Sequence, residues 1–410
     1  MAYGVQFGGE TGKIILSTTF DPYLGEWIGY SGISKLNFQG YAPIFGGCVV
    51  DINKMKLTRA KESKLPKLNW EEVSFGNHFT DYMLISNYEN GKWSEPEIVP
   101  FDSVAFHPSI MSLHYGQAFF EGMKAYKDKA GDVFLFRPDK NFERMNASAH
   151  RLNMPELPKE IFLDGMMAWL DVERDWVPNE PGKALYIRPV MFASEEMILA
   201  RSANKYSFII MGCVVRDYYS QPLKVKIEKR FTRAAQGGVG NAKAAGNYAA
   251  SFYPTNLAKD AGFDQIIWTD GIEHEFFEEC GTMNVMVRIG DKIITPPLSD
   301  SILKGVTRDS LIQMARSKGI EVEERPISVQ EVYEAHKNGT LKEVFGCGTA
   351  VVVNRFHAIG YPQETLELPL LPDDESYPVQ FKKELVGIQM NQIPDPFGWR
   401  KKVEENLIEA

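Results

Sequence analysis

The sequence predicts an α/β protein with two domains, and three observations support this prediction. The chain has 410 residues, enough for two separate hydrophobic cores. Its 44% hydrophobic and 24% charged residues are typical of a globular protein. Short apolar strand patterns alternate with helical patterns along most of its length. We expect one α/β domain over residues 61–215, a crossing segment at 216–222, and a second α/β domain over 223–410.

Residues 1–60 differ from the rest and are treated as an N-terminal extension of unknown role. They are rich in glycine and aromatic residues and show no clear period. They lack the basic start and apolar core of a signal peptide, and they are too acidic and too poor in arginine for a transit peptide. We therefore expect a cytoplasmic protein, with mitochondria as the alternative.

The first domain is expected to be mostly strands with one clear helix. A hairpin is predicted where alternating residues flank Asn90 and Gly91, a pair that favours a tight turn. Apolar runs predict strands, and apolar or small residues at helical spacing predict a helix. The predicted elements are the hairpin 79–93, a strand at 132–138, a helix at 141–152, and strands at 184–192 and 205–215.

The second domain alternates strands and helices more regularly. A second hairpin is predicted to turn at Asp270 and Gly271, and Pro254 leaves the start of one helix open. A glycine ends the helix that begins at Thr307. The predicted elements are strand 224–231, helix 247–260, hairpin 264–279, strand 284–290, helix 307–319, strand 320–327, helix 329–339 and strand 341–348.

Composition argues against several classes of function. The formal net charge is -9, and no basic block of the kind that binds nucleic acid occurs. No apolar run approaches the ~18 residues of a membrane span. The seven histidines do not pair at metal-ligand spacing, so we predict no metal site. Four cysteines are too few and too far apart for a disulfide framework, which favours a reducing compartment: Cys48, Cys213, Cys280 and Cys347.

Lys243 is the first candidate for chemistry, because it lies in the small-residue stretch GGVGNAKAAGNYAAS at 237–251. Most lysines are solvated surface groups. Small neighbours, however, leave room for a flat ligand close to the amine, and a lysine amine can form a Schiff base with an aldehyde such as pyridoxal phosphate. Such a site also needs a carboxylate for the pyridine nitrogen and donors for the phosphate.

Candidates for these helpers occur along the chain, each with an ordinary structural alternative. Glu278 and Glu279 close a strand, where acids are usually a solvated edge. KGVTRDS at 304–310 places free backbone N–H groups at a helix start, although a plain helix cap is more common. Thr349 lies in a glycine-flanked turn, and Arg144 lies on a predicted helix where a surface salt bridge is the alternative.

Nine motifs, taken in order, resemble the branched-chain amino acid aminotransferases, which are fold type IV pyridoxal phosphate enzymes. The resemblance covers roughly Trp70 to Trp399, and the set in order is far more specific than any one motif. The motifs are FGNHFTDYML, HYGQAFFEGMKAY, LFRPDKNFERM, LYIRPV, GGVGNAKAAGNY, EECGTMN, LKGVTRDSL, EVFGCGTA and DPFGW.

The resemblance implies a role for each matching residue. It implies that Lys243 carries the cofactor as a Schiff base, that Glu279 pairs with the pyridine nitrogen, and that Tyr248 bonds the phenolic oxygen. Arg144, Thr349 and the backbone of Val306 and Thr307 would hold the phosphate. The substrate pocket would be formed by Phe75, Tyr115, Phe120, Tyr186, Thr282, Met283 and Ala350, with Tyr115 and the turn at Thr349 and Ala350 receiving the substrate carboxylate.

The implied reaction is reversible transfer of the amino group of Leu, Ile or Val to 2-oxoglutarate. The implied fold has a smaller N-terminal and a larger C-terminal domain with the active site between them. In the family a loop from a second subunit closes the pocket, which predicts a homodimer; EEMILAR at 195–201 occupies that place. Arg188 is our candidate for the glutamate side chain, with a structural salt bridge as the alternative.

Departures from the family pattern limit some inferences. Val351 and Asn354 stand where some members carry a C-x-x-C pair, so that thiol switch is expected to be absent. Cys347 replaces a serine, and we interpret it as a small buried residue. Ala245 and Leu199 replace glycines.

Two alternative functions remain open. One is a D-amino acid aminotransferase or aminodeoxychorismate lyase of the same fold type. These enzymes are usually shorter and lack EGMKA and the GTMN run. The other is an inactive relative that acts as a binding protein, which the intact Lys243, Glu279, Tyr248 and Arg144 argue against.

Overall fold

The chain divides into two compact units, Met1–Gly47 and Cys48–Ala410. In the first unit, strands Thr19–Asp21 (β1) and Glu26–Ile28 (β2) pair as an antiparallel hairpin. Most of the predicted extension 1–60, Cys48 among it, lies outside the described residues, as do positions 217 and 220 of the predicted crossing. The computed structural model describes residues 19–21, 26–28, 55–216, 218–219 and 221–408.

In the second unit, strands from residues 56–215 form a largely antiparallel sheet, which one strand near the C-terminus joins. Its order is β21-β9-β8-β10-β11-β4-β6-β3, with β5 on β4 and β7 on β10. The strands are Lys56–Leu57 (β3), Phe79–Glu89 (β4), Lys92–Trp93 (β5), Glu97–Pro100 (β6), Ala118–Phe120 (β7), Met123–Lys127 (β8), Val133–Phe136 (β9), Ala184–Ala193 (β10), Tyr206–Val215 (β11) and Arg400–Lys402 (β21).

The strands between residues 223 and 367 form the other sheet, in the order β14-β13-β12-β19-β18-β15-β16-β17 with β20 on β19. An additional pairing of β14 with β15 closes six of these strands into a ring. The strands are Leu223–Ile227 (β12), Gln265–Thr269 (β13), Phe277–Cys280 (β14), Met283–Ile289 (β15), Lys292–Thr295 (β16), Val322–Glu324 (β17), Leu341–Gly348 (β18), Val352–Gly360 (β19) and Thr365–Glu367 (β20).

Helices pack on both sheets and complete their cores. Helix α3 covers the first sheet, where the Trp169 ring lies so close to β11 that a Cβ added at Gly212 would be 2.8 Å from it. Four rings of this core, those of Phe119, Phe162, Trp169 and Phe208, are fully buried, and burial of their apolar surface stabilises the packing. The helices are Met111–Tyr115 (α1), Pro138–Arg151 (α2), Gly165–Val172 (α3), Ala245–Asp260 (α4), Val306–Ser317 (α5), Val329–Lys337 (α6) and Tyr377–Gln389 (α7).

The predicted first hairpin is confirmed. Strand β4 ends at Glu89, and β5 begins at Lys92. Asn90 and Gly91 both have positive φ angles, 53° and 78°, as the tightest hairpin turn requires. The other predicted strands and helices also form, with ends that differ by a few residues.

The second hairpin forms, but its predicted two-residue turn is wrong. The strands end at Thr269 and resume at Phe277. The Asp270 carboxylate accepts backbone N–H groups along the connection, including those of Glu273 and Glu275 at 2.8 Å each. These bonds stabilise a longer loop in place of the tight turn.

Two further features differ from simple expectation. Helix α4 begins at Ala245 and continues through Pro254, which is buried inside it. Packing of Ala258 against Ile266 and Trp268 of β13 stabilises this helix despite the missing proline N–H.

Strand β21 pairs with β9, so residues 223–410 are not confined to the second sheet. The predicted domain boundaries stay a prediction.

Candidate active site

A cavity of about 290 Å³, which we call the Lys243 cavity, is lined by residues from both sheets of the second unit. Most of the residues predicted from sequence meet there, although they lie far apart along the chain. The structure brings together Phe75, Arg144, Tyr186, Arg188, Lys243, Tyr248, Glu279, Thr282, Val306, Thr307, Thr349 and Ala350.

Lys243 is held at this cavity by backbone hydrogen bonds. Its N–H donates to the Ser148 Oγ atom at 3.0 Å, and its carbonyl accepts the N–H of Phe120 at 3.2 Å. The side-chain Nζ donates to Tyr248 Oη at 2.9 Å. Tyr248 lies in the first turn of α4, so the start of that helix places the phenol beside the amine.

The small residues around Lys243 have a packing role that the sequence did not reveal. A Cβ at Gly240 would lie 2.6 Å from Ser301 Cα and 2.7 Å from its carbonyl oxygen, so only glycine allows the two segments to pass so closely. Ala242 and Ala244 are buried. Close chain packing, as well as room for a ligand, therefore explains this composition.

Arg144 lies in the cavity wall, where it forms a buried ion pair that sequence reasoning missed. Its Nε and Nη2 atoms donate to the two carboxylate oxygens of Glu121 at 2.7 and 2.8 Å, and Nη1 donates to the Lys304 carbonyl at 2.9 Å. Burial acts to raise the pKa of Glu121, but the Arg144 charge and hydrogen bonds keep that pKa below its ordinary value. This pair fixes the guanidinium beside Lys304, two residues before α5 begins.

Glu279 is a buried carboxylate in the cavity wall and pairs with Arg233, which sequence reasoning also missed. Arg233 Nε lies 2.8 Å from Glu279 Oε2, and the N–H of Leu303 donates to Oε1 at 2.7 Å. Burial raises the pKa of Glu279, and the Arg233 charge opposes that rise. Glu278 instead contacts Ser301 Oγ, so only one of the two candidate acids lines the cavity.

Backbone donors and hydroxyls gather where α5 begins. The first intrahelical bond runs from Asp309 N to Gly305 O, so the N–H groups of Val306 and Thr307 precede it. Thr349, from the end of β18, lines the same cavity. Such N–H groups, together with the helix dipole, favour an anion.

The opposite part of the cavity is aromatic, with one cation. The Arg188 guanidinium carbon lies 4.3 Å from the centre of the Phe120 ring, and Nη2 donates to Tyr186 Oη at 3.2 Å. Phe120 also contacts Tyr248, with 4.8 Å between ring centres. Within the part of the chain that is described, Arg188 pairs with no carboxylate, and its buried Nε has no hydrogen-bond partner. Arg188 therefore forms no structural salt bridge with any described residue.

Three predicted pocket residues are not among those that line this cavity: Phe120, Met283 and Tyr115. The Phe120 ring packs against Tyr248 and Arg188 instead. Met283 joins Val285 and Val287 in the core of the second sheet, because alternate residues of a strand share a face. Asn284 takes the cavity side instead. Tyr115 ends α1 and is 41% exposed, since that short helix places it at the surface of the chain.

The cysteines that the structure describes are buried. Cys347 is inaccessible, and burial raises the pKa of its thiol to about 12, which disfavours the thiolate. This agrees with the interpretation of Cys347 as a small buried residue.

Neither a metal cluster nor a membrane helix is found in the described ranges. No three histidine, cysteine, aspartate or glutamate side chains there come together as metal ligands. None of the helices there is both long and apolar enough to cross a membrane.

Comparison with solved structures agrees with this fold. A branched-chain aminotransferase from Thermoproteus uzoniensis, solved with norvaline, matches with a TM-score of 0.65 over 79% of this chain and 100% of that chain, at 22% identity. One from Thermobaculum terrenum in its PLP form matches with a TM-score of 0.62 over 80% of this chain and 100% of that chain, at 20% identity. The predicted α/β two-domain fold class is confirmed, and it is the class of fold that these aminotransferases share.

Sequence comparison then gives the family. The family model for amino-transferase class IV matches residues 118–359. Branched-chain-amino-acid aminotransferase 2 of Bacillus subtilis is 40% identical over 85% of this chain and 96% of its own length. Branched-chain-amino-acid transaminase 1 of the same organism is 40% identical over 86% and 99%. The chain belongs to the class IV aminotransferases, among the relatives named as branched-chain-amino-acid aminotransferases, which confirms the resemblance. Enzymes of this class use pyridoxal 5'-phosphate.

Proposed function

We propose that this chain transfers the amino group of leucine, isoleucine or valine to 2-oxoglutarate, with pyridoxal 5'-phosphate held at Lys243. The observation that supports this most is the contact between Lys243 Nζ and Tyr248 Oη, 2.9 Å apart, in a cavity that also contains Glu279. The relatives named as branched-chain aminotransferases support the choice of substrate.

The residues present fit the cofactor. Lys243 would hold it covalently, and Tyr248 would donate to its phenolic oxygen. Glu279, whose charge Arg233 favours, would pair with the pyridine nitrogen. The N–H groups at the start of α5 and the Thr349 hydroxyl would hold the phosphate. When bound, the cofactor supplies an acceptor for the negative charge that develops at the substrate Cα.

The proton transfer is assigned to Lys243. Its Nζ would take the proton from the substrate Cα and would hold that proton until it is returned to the reacting carbon atoms. Tyr248 and the Phe120 ring, whose centre is 5.2 Å from Nζ, confine the amine to this part of the cavity.

The cavity wall offers surfaces for both kinds of substrate side chain, apolar and acidic. Phe75 and Tyr186, whose ring centres are 4.8 Å apart, offer an apolar surface to leucine, isoleucine or valine. Arg188 offers a guanidinium without a carboxylate partner among the described residues, which suits the side-chain carboxylate of glutamate.

A homodimer in which each chain closes the other's cavity is also proposed. Ile198 and Leu199 in the predicted closing loop are 70% and 52% exposed, which suits residues that act on a neighbouring chain. Tyr115, exposed at the end of α1, is assigned the same role. We place the enzyme in the cytoplasm, as the sequence predicts.

The test is single-turnover spectroscopy of purified protein loaded with pyridoxal phosphate. Leucine should shift the visible absorbance band, and 2-oxoglutarate should restore it. Lys243→Ala should lose this response and release no 2-oxo acid, whereas Lys259→Ala, an exposed lysine on α4, should keep both. Turnover by Lys243→Ala would contradict the mechanism. A response to D-alanine but not to leucine would contradict the substrate class.

A further inference from the structure

A second cavity, which we call the basic cavity, lies beside the residues that follow the turn at Thr349 and Ala350. Its volume is about 460 Å³, which suits a small molecule. Among the described residues that line it, six are basic and none is acidic. They are Lys124, Lys183, Arg216, Arg355, Lys382 and Lys383. In a chain of net charge -9, this local excess of positive charge favours an anion.

Several of these cations keep their charge available. Lys382 and Lys383 of α7 have no hydrogen-bond or ion-pair partner among the residues that the structure describes. Among the described residues, the Arg355 side chain donates only to the Leu371 carbonyl, at 3.3 Å. Lys183 is different, because Glu180 lies 2.7 Å from its Nζ and compensates its charge. Lys382, Lys383 and Arg355 therefore carry charge that no described carboxylate compensates, and Arg216, which donates to the Val73 carbonyl at 3.1 Å, adds to it.

The basic cavity is linked to the Lys243 cavity by Lys124. This lysine is 8% exposed, and its Nζ donates to the Ala350 carbonyl at 2.8 Å. Ala350 lines the Lys243 cavity, so one side chain contacts both the basic cavity and the turn that we assign to the substrate carboxylate.

A strained residue lies at the same junction. Val352 has a φ of 60°, a region that β-branched residues rarely adopt. It lines both the basic cavity and a void of about 20 Å³ shared with Thr307, Thr349 and Gln389. The buried Gln389 Oε1 atom has no hydrogen-bond partner in the described part of the chain, and a void of this size holds a water molecule. The strained backbone and the polar void both lie between the two cavities.

We propose that the basic cavity binds a small polyanion, a phosphorylated or polycarboxylic metabolite, and that its binding changes substrate affinity through Lys124. A bound anion attracts the Lys124 ammonium and so competes with the Ala350 carbonyl for it. Loss of that hydrogen bond releases the turn that receives the substrate. The effect on substrate affinity rests on the proposed function, whereas anion binding does not.

Calorimetric titration of the holoenzyme with pyrophosphate and with citrate, at low ionic strength, tests binding. We expect at least one probe to bind, and Lys382→Gln/Lys383→Gln to bind it about tenfold more weakly because two charges facing the cavity are removed. Lys159→Gln/Lys401→Gln removes the same charge from exposed positions outside the cavity and should bind as the parent does. The choice of probe separates phosphates from carboxylates. Failure of both probes, or equal loss in the two double variants, would overturn the site.

The KM for leucine, measured with and without the bound probe, tests the coupling. We expect the probe to change KM in the parent enzyme and to have little effect in Lys382→Gln/Lys383→Gln at the same concentration. Lys124→Met should bind the probe, yet its KM for leucine should be the same with and without the probe. Binding without any change of KM in the parent would overturn the coupling. A protein that binds the probe but does not transaminate would contradict the proposed function, whereas the proposal that the basic cavity binds an anion would still hold.

Discussion

Glu173 follows α3 and is buried against strand β4, where its Oε1 accepts the N–H of Tyr82 at 2.5 Å. The pairing of β4 with β11 is irregular next to Tyr82, so Glu173 satisfies an N–H that the sheet leaves free. Burial raises the pKa of this carboxyl from 4.5 to about 8. The perturbation is Glu173→Gln, which keeps an acceptor for Tyr82 but cannot ionise.

The sign and size of the effect follow from proton binding. Between pH 4.5 and about 8 the folded protein binds more protons at Glu173 than the unfolded chain does, so its free energy of unfolding falls as pH rises. One pKa unit equals about 1.4 kcal/mol, so the full effect is about 5 kcal/mol. This loss of unfolding free energy is absent below pH 4.5 and complete above pH 8.

Urea denaturation at about pH 5 and about pH 9 measures this difference. Glu173→Gln should gain about 4 kcal/mol of unfolding free energy relative to the parent between these two pH values. Glu156→Gln, an exposed glutamate, is the matched control and should follow the parent. A variant whose stability runs parallel to the parent at both pH values would refute the reasoning, because it would mean that Glu173 ionises freely in the folded protein.

Two further predictions concern the site. Arg188→Met should lower kcat/KM for glutamate about 10- to 100-fold, from the loss of a charged hydrogen bond, with much less effect on leucine; equal losses for both amino acids would contradict its role. Gly240→Ala should lower kcat more than tenfold, because a Cβ 2.6 Å from Ser301 Cα displaces the segment that leads to Lys243. Gly246→Ala, which meets no atom within 4 Å, is its control, and equal activity in the two variants would exclude this explanation.

Local patterns predicted much of the fold because their causes are local. Asn90 and Gly91 both adopt positive φ angles, and this preference belongs to the residues themselves. The Asp270 turn was mispredicted because the carboxylate bonds several N–H groups farther along the chain, an option that a two-residue motif does not reveal. The joining of β21 to β9 was not predictable, since strand pairing over such a separation leaves no local signal.

The candidate site shows the same division. The motifs identified Lys243, Tyr248 and Glu279, and the structure places them around one cavity. Arg233 was missed because its partner, Glu279, is distant in sequence and an arginine outside a recognised motif carries no signal of its own. Met283 was assigned to the pocket because it adjoins Thr282 in a motif, although a motif does not tell which face of a strand a residue occupies.

The sequence by itself determined many of the strands and helices, the family and the candidate lysine, because these depend on residue types and their spacing. Only the tertiary structure decided that Glu121 holds Arg144, that burial raises the pKa of Glu173 to about 8, and that a basic cavity adjoins the turn at Ala350. Each of these depends on burial and on distances between residues remote in the chain. Electrostatic effects grow as water is excluded, and exclusion of water is a property of the folded packing.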